Sequence, residues 1–126
     1  MEGYKIVDNY LSSIAAPGGG SISYTIGEQT VPLEHCGPLA VFRELDDALD
    51  FLVKSYHGLL KLVHIFECEY EESSRTYLWI GDRGGVFQSR KGLPRGTRLA
   101  ESVTLLEEVE LEFLNGPPFV KVKEQK

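Results

Sequence analysis

With 126 residues, 42% of them hydrophobic and 25% charged, the chain has the size and composition of one globular domain. A net charge of −6 disfavours nucleic acid as a partner, and no apolar run approaches the roughly 20 residues that span a bilayer. The opening MEGYKIVDNY lacks a basic stretch followed by an apolar core, so no signal peptide is predicted and a cytoplasmic location is expected. Cys36 and Cys68 lie far apart without CxxC spacing, which predicts reduced, partly buried thiols.

In chain order, Tyr4–Val7 (YKIV) predicts an opening strand and Asp8-Asn9 a turn. The glycines of Ala16-Pro17-Gly18-Gly19-Gly20 predict a loop, since they lose too much backbone freedom inside a regular element. It is not read as a phosphate cradle, because the Lys-Ser/Thr ending of a P-loop is missing. Ser21–Ile26 (SISYTI) alternates Ile22, Tyr24 and Ile26 with small polar residues, the period of a half-buried strand. Thr30-Val31-Pro32 predicts an extended edge, and Leu39–Phe42 a further strand after the turn Cys36-Gly37-Pro38.

Leu45, Ala48, Leu49, Leu52 and Tyr56 form one apolar helical stripe over about 45–56. Glu44, Asp46 and Asp47 at its start and Lys54 near its end suit the helix dipole, which is reason enough for the acidic pair. From Leu60 to Tyr70 the even positions read Leu60, Leu62, His64, Phe66, Cys68, Tyr70, while the odd ones end in Glu67 and Glu69. This predicts a central strand, buried on one face and acidic towards its end on the other. Thr76–Ile80 and Val86–Ser89 are expected to pair across the glycine-rich turn 81–85, and Arg90–Arg98 to form a loop. Val103–Phe113 predicts the last long strand, with a bulge or exposed stretch at Glu107.

The pattern predicts an α+β fold: a mostly antiparallel twisted sheet or half-barrel of about seven strands, with helix 45–56 packed on one face. A single domain is expected over 1–118, followed by a short extension, 119–126, with a charged tail.

Two groups of residues invite a chemical reading. His64 and Cys68 share a strand face but stand roughly 13 Å apart along it. With His35 and Cys36 they have no spacing that fixes a metal or a Cys–His nucleophile, so a hydrogen-bonded histidine beside a structural thiol is expected, and no metal or other cofactor. The stronger anomaly is charge. Arg83, Arg90, Lys91, Arg95 and Arg98 occur without an acid among them, giving this segment +5 and the rest of the chain −11. Arginines spaced by Gly, Ser and Thr suit planar contacts to phosphate or carboxylate. Pairing with Glu101, Glu107, Glu108 and Glu110, or with an acidic patch on a second copy of the chain, accounts for them more readily. Phe87 alone among aromatics lies in this segment, whereas single-strand binding needs aromatics interleaved with the basic side chains.

The opening YKIV, Tyr24-x-Ile26-Gly27-Glu28-x-x-x-Pro32, GPLAVFRELDDALDFL (Gly37–Leu52) and Phe66-Glu67-Cys68-Glu69 resemble a group of small uncharacterised domains sharing these motifs over about the first 70 residues. The order strand, L-x-x-A helix, returning strand is more distantly similar to ADP-ribosyltransferase-like folds. That likeness implies a nucleotide-binding enzyme or a degenerate one, but Tyr4-Lys5 stand where such enzymes have His or Arg, and no Ser-Thr-Ser occurs. No catalytic constellation is identifiable. The sequence is therefore read as a non-catalytic binding module whose 83–98 region meets an anionic ligand, an acidic protein surface or a second copy.

Overall fold

The alternating stretches and the one amphipathic stripe fold around a single long strand. The computed structural model describes residues 1–12, 22–32, 38–56, 60, 62–74, 77–78, 88–89 and 95–123. In order these form β1 (Glu2–Asp8), β2 (Gln29–Thr30), β3 (Leu39–Phe42), α1 (Leu45–Tyr56), β4 (Val63–Glu72), β5 (Tyr77–Leu78), β6 (Gln88–Ser89), β7 (Thr97–Val109), β8 (Leu111–Phe113) and β9 (Val120–Val122). No helix among them is long and apolar enough to cross a membrane.

All of the strand pairs are antiparallel, and four strands close on themselves. β1 lies between β3 and β4, with Tyr4 opposite Phe42 on one edge and Glu67 on the other. β7 closes the ring. Its Ala100 faces Leu39 of β3 and Glu72 of β4, so the two partners lie on opposite edges. Further along, β2 meets Val103 and Thr104 on the edge that β3 has left. Two register shifts, between Phe66 and Cys68 and between Glu71 and Glu72, each leave an extra residue on β7. Such bulges bend and twist a strand, which a ring this small requires. The first adds a residue between Leu105 and Glu108, the region where alternation failed in the sequence. The second adds Glu101, which resets the parity so that Ala100, Val103 and Leu105 all join the interior.

Residues directly opposite on antiparallel strands share a face. The inward row therefore holds Gly3, Lys5 and Val7 of β1 with Cys68, Phe66 and His64 of β4. Val7, Leu39, Val41, Phe66, Cys68, Tyr70, Ala100, Val103 and Leu105, with Ile22 and Tyr24, make the barrel core. The outward row of β1 and β4 is apolar where the helix covers it. Ile6, Phe42, Val63 and Ile65 pack with Ala48 and Leu52 of α1 in a second core. Burying a leucine such as Leu52 contributes roughly 2 kcal/mol from area alone. The helix begins with Asp46 and Asp47 and ends near Lys54, whose ammonium lies 3.0 Å from Asp50 one turn earlier.

The half-barrel of about seven strands is thus corrected: the sheet is a closed four-stranded barrel with extra strands attached. The reason lies in β7. Thr97 and Arg98, expected in a loop, extend the strand because β3 captures them in the register Phe42 to Thr97 and Val41 to Arg98. The expected strand 21–26 is also corrected over its described residues. Ile22 and Tyr24 are buried as the alternation requires, but Ile26 is exposed, Ser23 makes only an isolated bridge to Ser12, and pairing resumes at β2. Backbone groups here bond elsewhere, Tyr24 N to the Leu11 carbonyl and Gly27 N to that of Leu105, each at 2.8 Å. Turn 81–85 lies outside the described residues. The terminal stretch read as an extension supplies β9, which pairs with β8 and buries Val120.

Candidate functional site

Strand direction brings four segments to one end of the barrel. The start of β1, the ends of β3 and β4 and the start of β7 meet there, and α1 starts from the same rim. Arg95 and Arg98, two of the five basic candidates, stand at this mouth; Arg83, Arg90 and Lys91 lie outside the described residues. Gly96 anchors the segment between them. Its φ of +81° is a left-handed conformation, and the place a Cβ would take is filled by the Asp47 carboxylate of the first helical turn. Its carbonyl accepts the Arg43 amide at 3.2 Å. The acidic helix start therefore seats the loop ahead of β7, a role additional to complementing the helix dipole.

The two arginines differ. Arg95 projects into solvent, 90% exposed, with its Nε 3.8 Å from Asp47 Oδ1, beyond a hydrogen bond and worth little at that exposure. Arg98 is half-buried, on the inward side of β7 opposite Val41, and its Nη1 donates weakly to the Thr97 carbonyl at 3.3 Å. No carboxylate pairs with Arg98 among the described residues. The glutamates proposed as partners are engaged elsewhere or exposed: Glu108 accepts from His64 at 3.0 Å and Glu101 from the Ser73 hydroxyl at 2.6 Å.

A buried tyrosine completes the mouth. Tyr70 of β4 is 2% exposed, and its hydroxyl is the one buried side-chain polar atom without a hydrogen-bond partner among the described residues. Its ring lies on Gly3, where an added Cβ would come within 2.8 Å of the ring and 2.7 Å of the Phe42 carbonyl. Burial raises the phenol pKa, and the Glu72 charge raises it further, while Arg98 and Arg43 pull it back. The hydroxyl is thus within electrostatic reach of two cations and one carboxylate, yet bonded to none of them. Leaving such a group unsatisfied costs about 1–3 kcal/mol.

Deeper in the barrel, Lys5 is buried, donates to the Ala40 carbonyl at 2.7 Å and sits 5.6 Å from the centre of the Tyr24 ring. The backbone bond and the ring face stabilise its charge in place of a carboxylate. Cys68 is fully buried, and burial pushes its thiol up to about 12, against the opposing pull of Lys5 and the chain's first ammonium. Such a thiol is inert. His64 marks the other end of the barrel, held by Glu108 and by Asn9 Oδ1 at 2.6 Å, so it ties β4 to β7 and to the turn after β1. His64 and Cys68 are not brought together with a third ligand, and the described residues hold no metal-ligating group of three. His35 and Cys36 lie outside the described residues.

Sequence reasoning singled out Arg95 and Arg98 and passed over Tyr70, Arg43 and Glu72, which stand at the same end of the barrel. The even-position row 64–70 does place Tyr70 inside. Only the packing of the folded chain puts its ring on Gly3 and leaves its hydroxyl without a partner. Comparison of the chain with protein-family models, with curated proteins and with solved structures finds no match. The site therefore stands on its own geometry.

Proposed function

We propose that this chain is a non-catalytic binding module that takes an anionic group at the barrel mouth, using Arg98 with Arg95 and Arg43 around Tyr70. The observation that carries this reading is the Tyr70 hydroxyl, buried and unpartnered, within electrostatic reach of an arginine with no carboxylate paired to it among the described residues. A phenol O–H and a guanidinium are both donors to an anion, and each gains from a ligand oxygen what the chain does not supply. Arg83, Arg90 and Lys91 belong to the same segment and extend the reading to a larger acidic surface. A cytoplasmic setting goes with it, supported by the free buried thiol of Cys68.

Thermal unfolding with inorganic phosphate or acetate tests this. Either anion should raise the midpoint by mass action, and Arg98→Gln should abolish the rise. A midpoint that moves equally in wild type and Arg98→Gln reflects general salt effects and contradicts the reading. The alternative, an ADP-ribosyltransferase-like nucleotide binder, is favoured instead if NAD or ADP-ribose shifts the midpoint where phosphate does not.

A further inference from the structure

The mouth is not simply basic. Glu72 ends the inward row of β4, opposite Ala100, and Arg98 lies on the same inward row of β7 two residues from Ala100. Diagonal neighbours of this kind lie within reach of long side chains. Glu72 nevertheless makes no ion pair with Arg98, and the Tyr70 hydroxyl feels the charge of both. On the outer wall beside it, Glu2 is directly opposite Glu69, and Glu71 follows; all three are exposed. No ion pair covers these carboxylates among the described residues. Like charges directly opposed destabilise a sheet, so this arrangement is not explained by stability. The chain's first ammonium lies nearby but is taken up by the Tyr70 carbonyl, at 2.8 Å.

Resting on the anion-binding reading above, we propose that the ligand is dipolar: a small molecule or chain end whose carboxylate meets Arg98 and Tyr70 while its ammonium meets Glu72. Such a ligand supplies each unpaired side chain with its opposite. It also explains how an acidic rim coexists with an anion site, since a polyanion such as nucleic acid would be repelled by Glu2, Glu69, Glu71 and Glu72. Separate positions for the two charges favour a ligand that carries both over one that carries only one, because the single charge leaves Glu72 or Arg98 unmatched.

Calorimetric titration of the full chain with acetate, methylammonium and 4-aminobutyrate tests the proposal. The expected result is that 4-aminobutyrate binds at least tenfold more tightly than acetate. In Glu72→Gln, a surface change that leaves the fold intact, this advantage should fall to within twofold, with acetate bound no more weakly than by the wild type. Arg98→Gln should weaken both. Equal binding of acetate and 4-aminobutyrate overturns the dipolar ligand and leaves the anion site standing. An advantage that survives Glu72→Gln overturns it too, by placing the ammonium elsewhere. If no probe binds while phosphate also fails to shift the thermal midpoint, both proposals fall.

Discussion

Tyr70 shows how one residue can be legible in position and illegible in consequence. Its place in the inward row follows from period-2 alternation with Phe66 and Cys68. Its missing partner does not, because hydrogen-bond satisfaction depends on what three other strands bring to the same point. Replacing Tyr70 with Phe removes an unsatisfied hydroxyl and should leave urea stability unchanged or raise it by about 1 kcal/mol, while abolishing the anion-induced thermal shift. A loss of 2 kcal/mol or more would mean that the hydroxyl is already satisfied. Cys68 gives a pH prediction of definite sign. Its thiol titrates at about 12 in the folded chain and near 9.0 when unfolded, so the unfolded chain loses its proton first. The contribution is complete below pH 9 and is lost as pH rises towards 12. Cys68→Ala should therefore flatten the fall of stability with pH over that window, measured by urea unfolding.

At the scale of elements, α1 was fully readable, since its stripe, acidic start and basic end all agree with the observed Leu45–Tyr56. Its energetic centre is Leu52, wholly buried against Ile6, Phe42 and Val63. Leu52→Ala should destabilise by about 2–5 kcal/mol through lost transfer energy and the cavity left behind. An unfolding midpoint unchanged in urea would show that the helix does not cover the barrel wall. β4 was nearly as clear, because its acidic outer positions alternate with buried ones. β7 was not. Gly96 and the basic residues before it suggest a loop, and only pairing with β3 draws Thr97 and Arg98 into the strand. The Glu101 bulge then shifts the pattern by one residue, so that no fixed period describes the whole strand.

For the molecule as a whole, closure of the barrel is what brings Arg98 and Tyr70 to one mouth. In an open half-barrel, Arg98 at the start of β7 and Tyr70 near the end of β4 would lie on separate edges of the sheet. The second pairing of β7, to β4, brings them to one mouth. Closure is a property of register, set by two bulges that leave almost no trace in composition, which is why the sequence suggested strands and a helix without their ring. The same ring accounts for the opposite end, where His64 holds Glu108 and Asn9 together.

The most direct measurement is amide chemical-shift mapping of the isotope-labelled chain during titration with acetate, repeated in Tyr70→Phe. Saturable shifts clustered at Gly3, Tyr70 and Arg98–Ala100, and lost in the variant, are the predicted result. Shifts that grow linearly, scatter over exposed lysines such as Lys54 and Lys121, or persist unchanged in Tyr70→Phe would contradict a binding site at the barrel mouth.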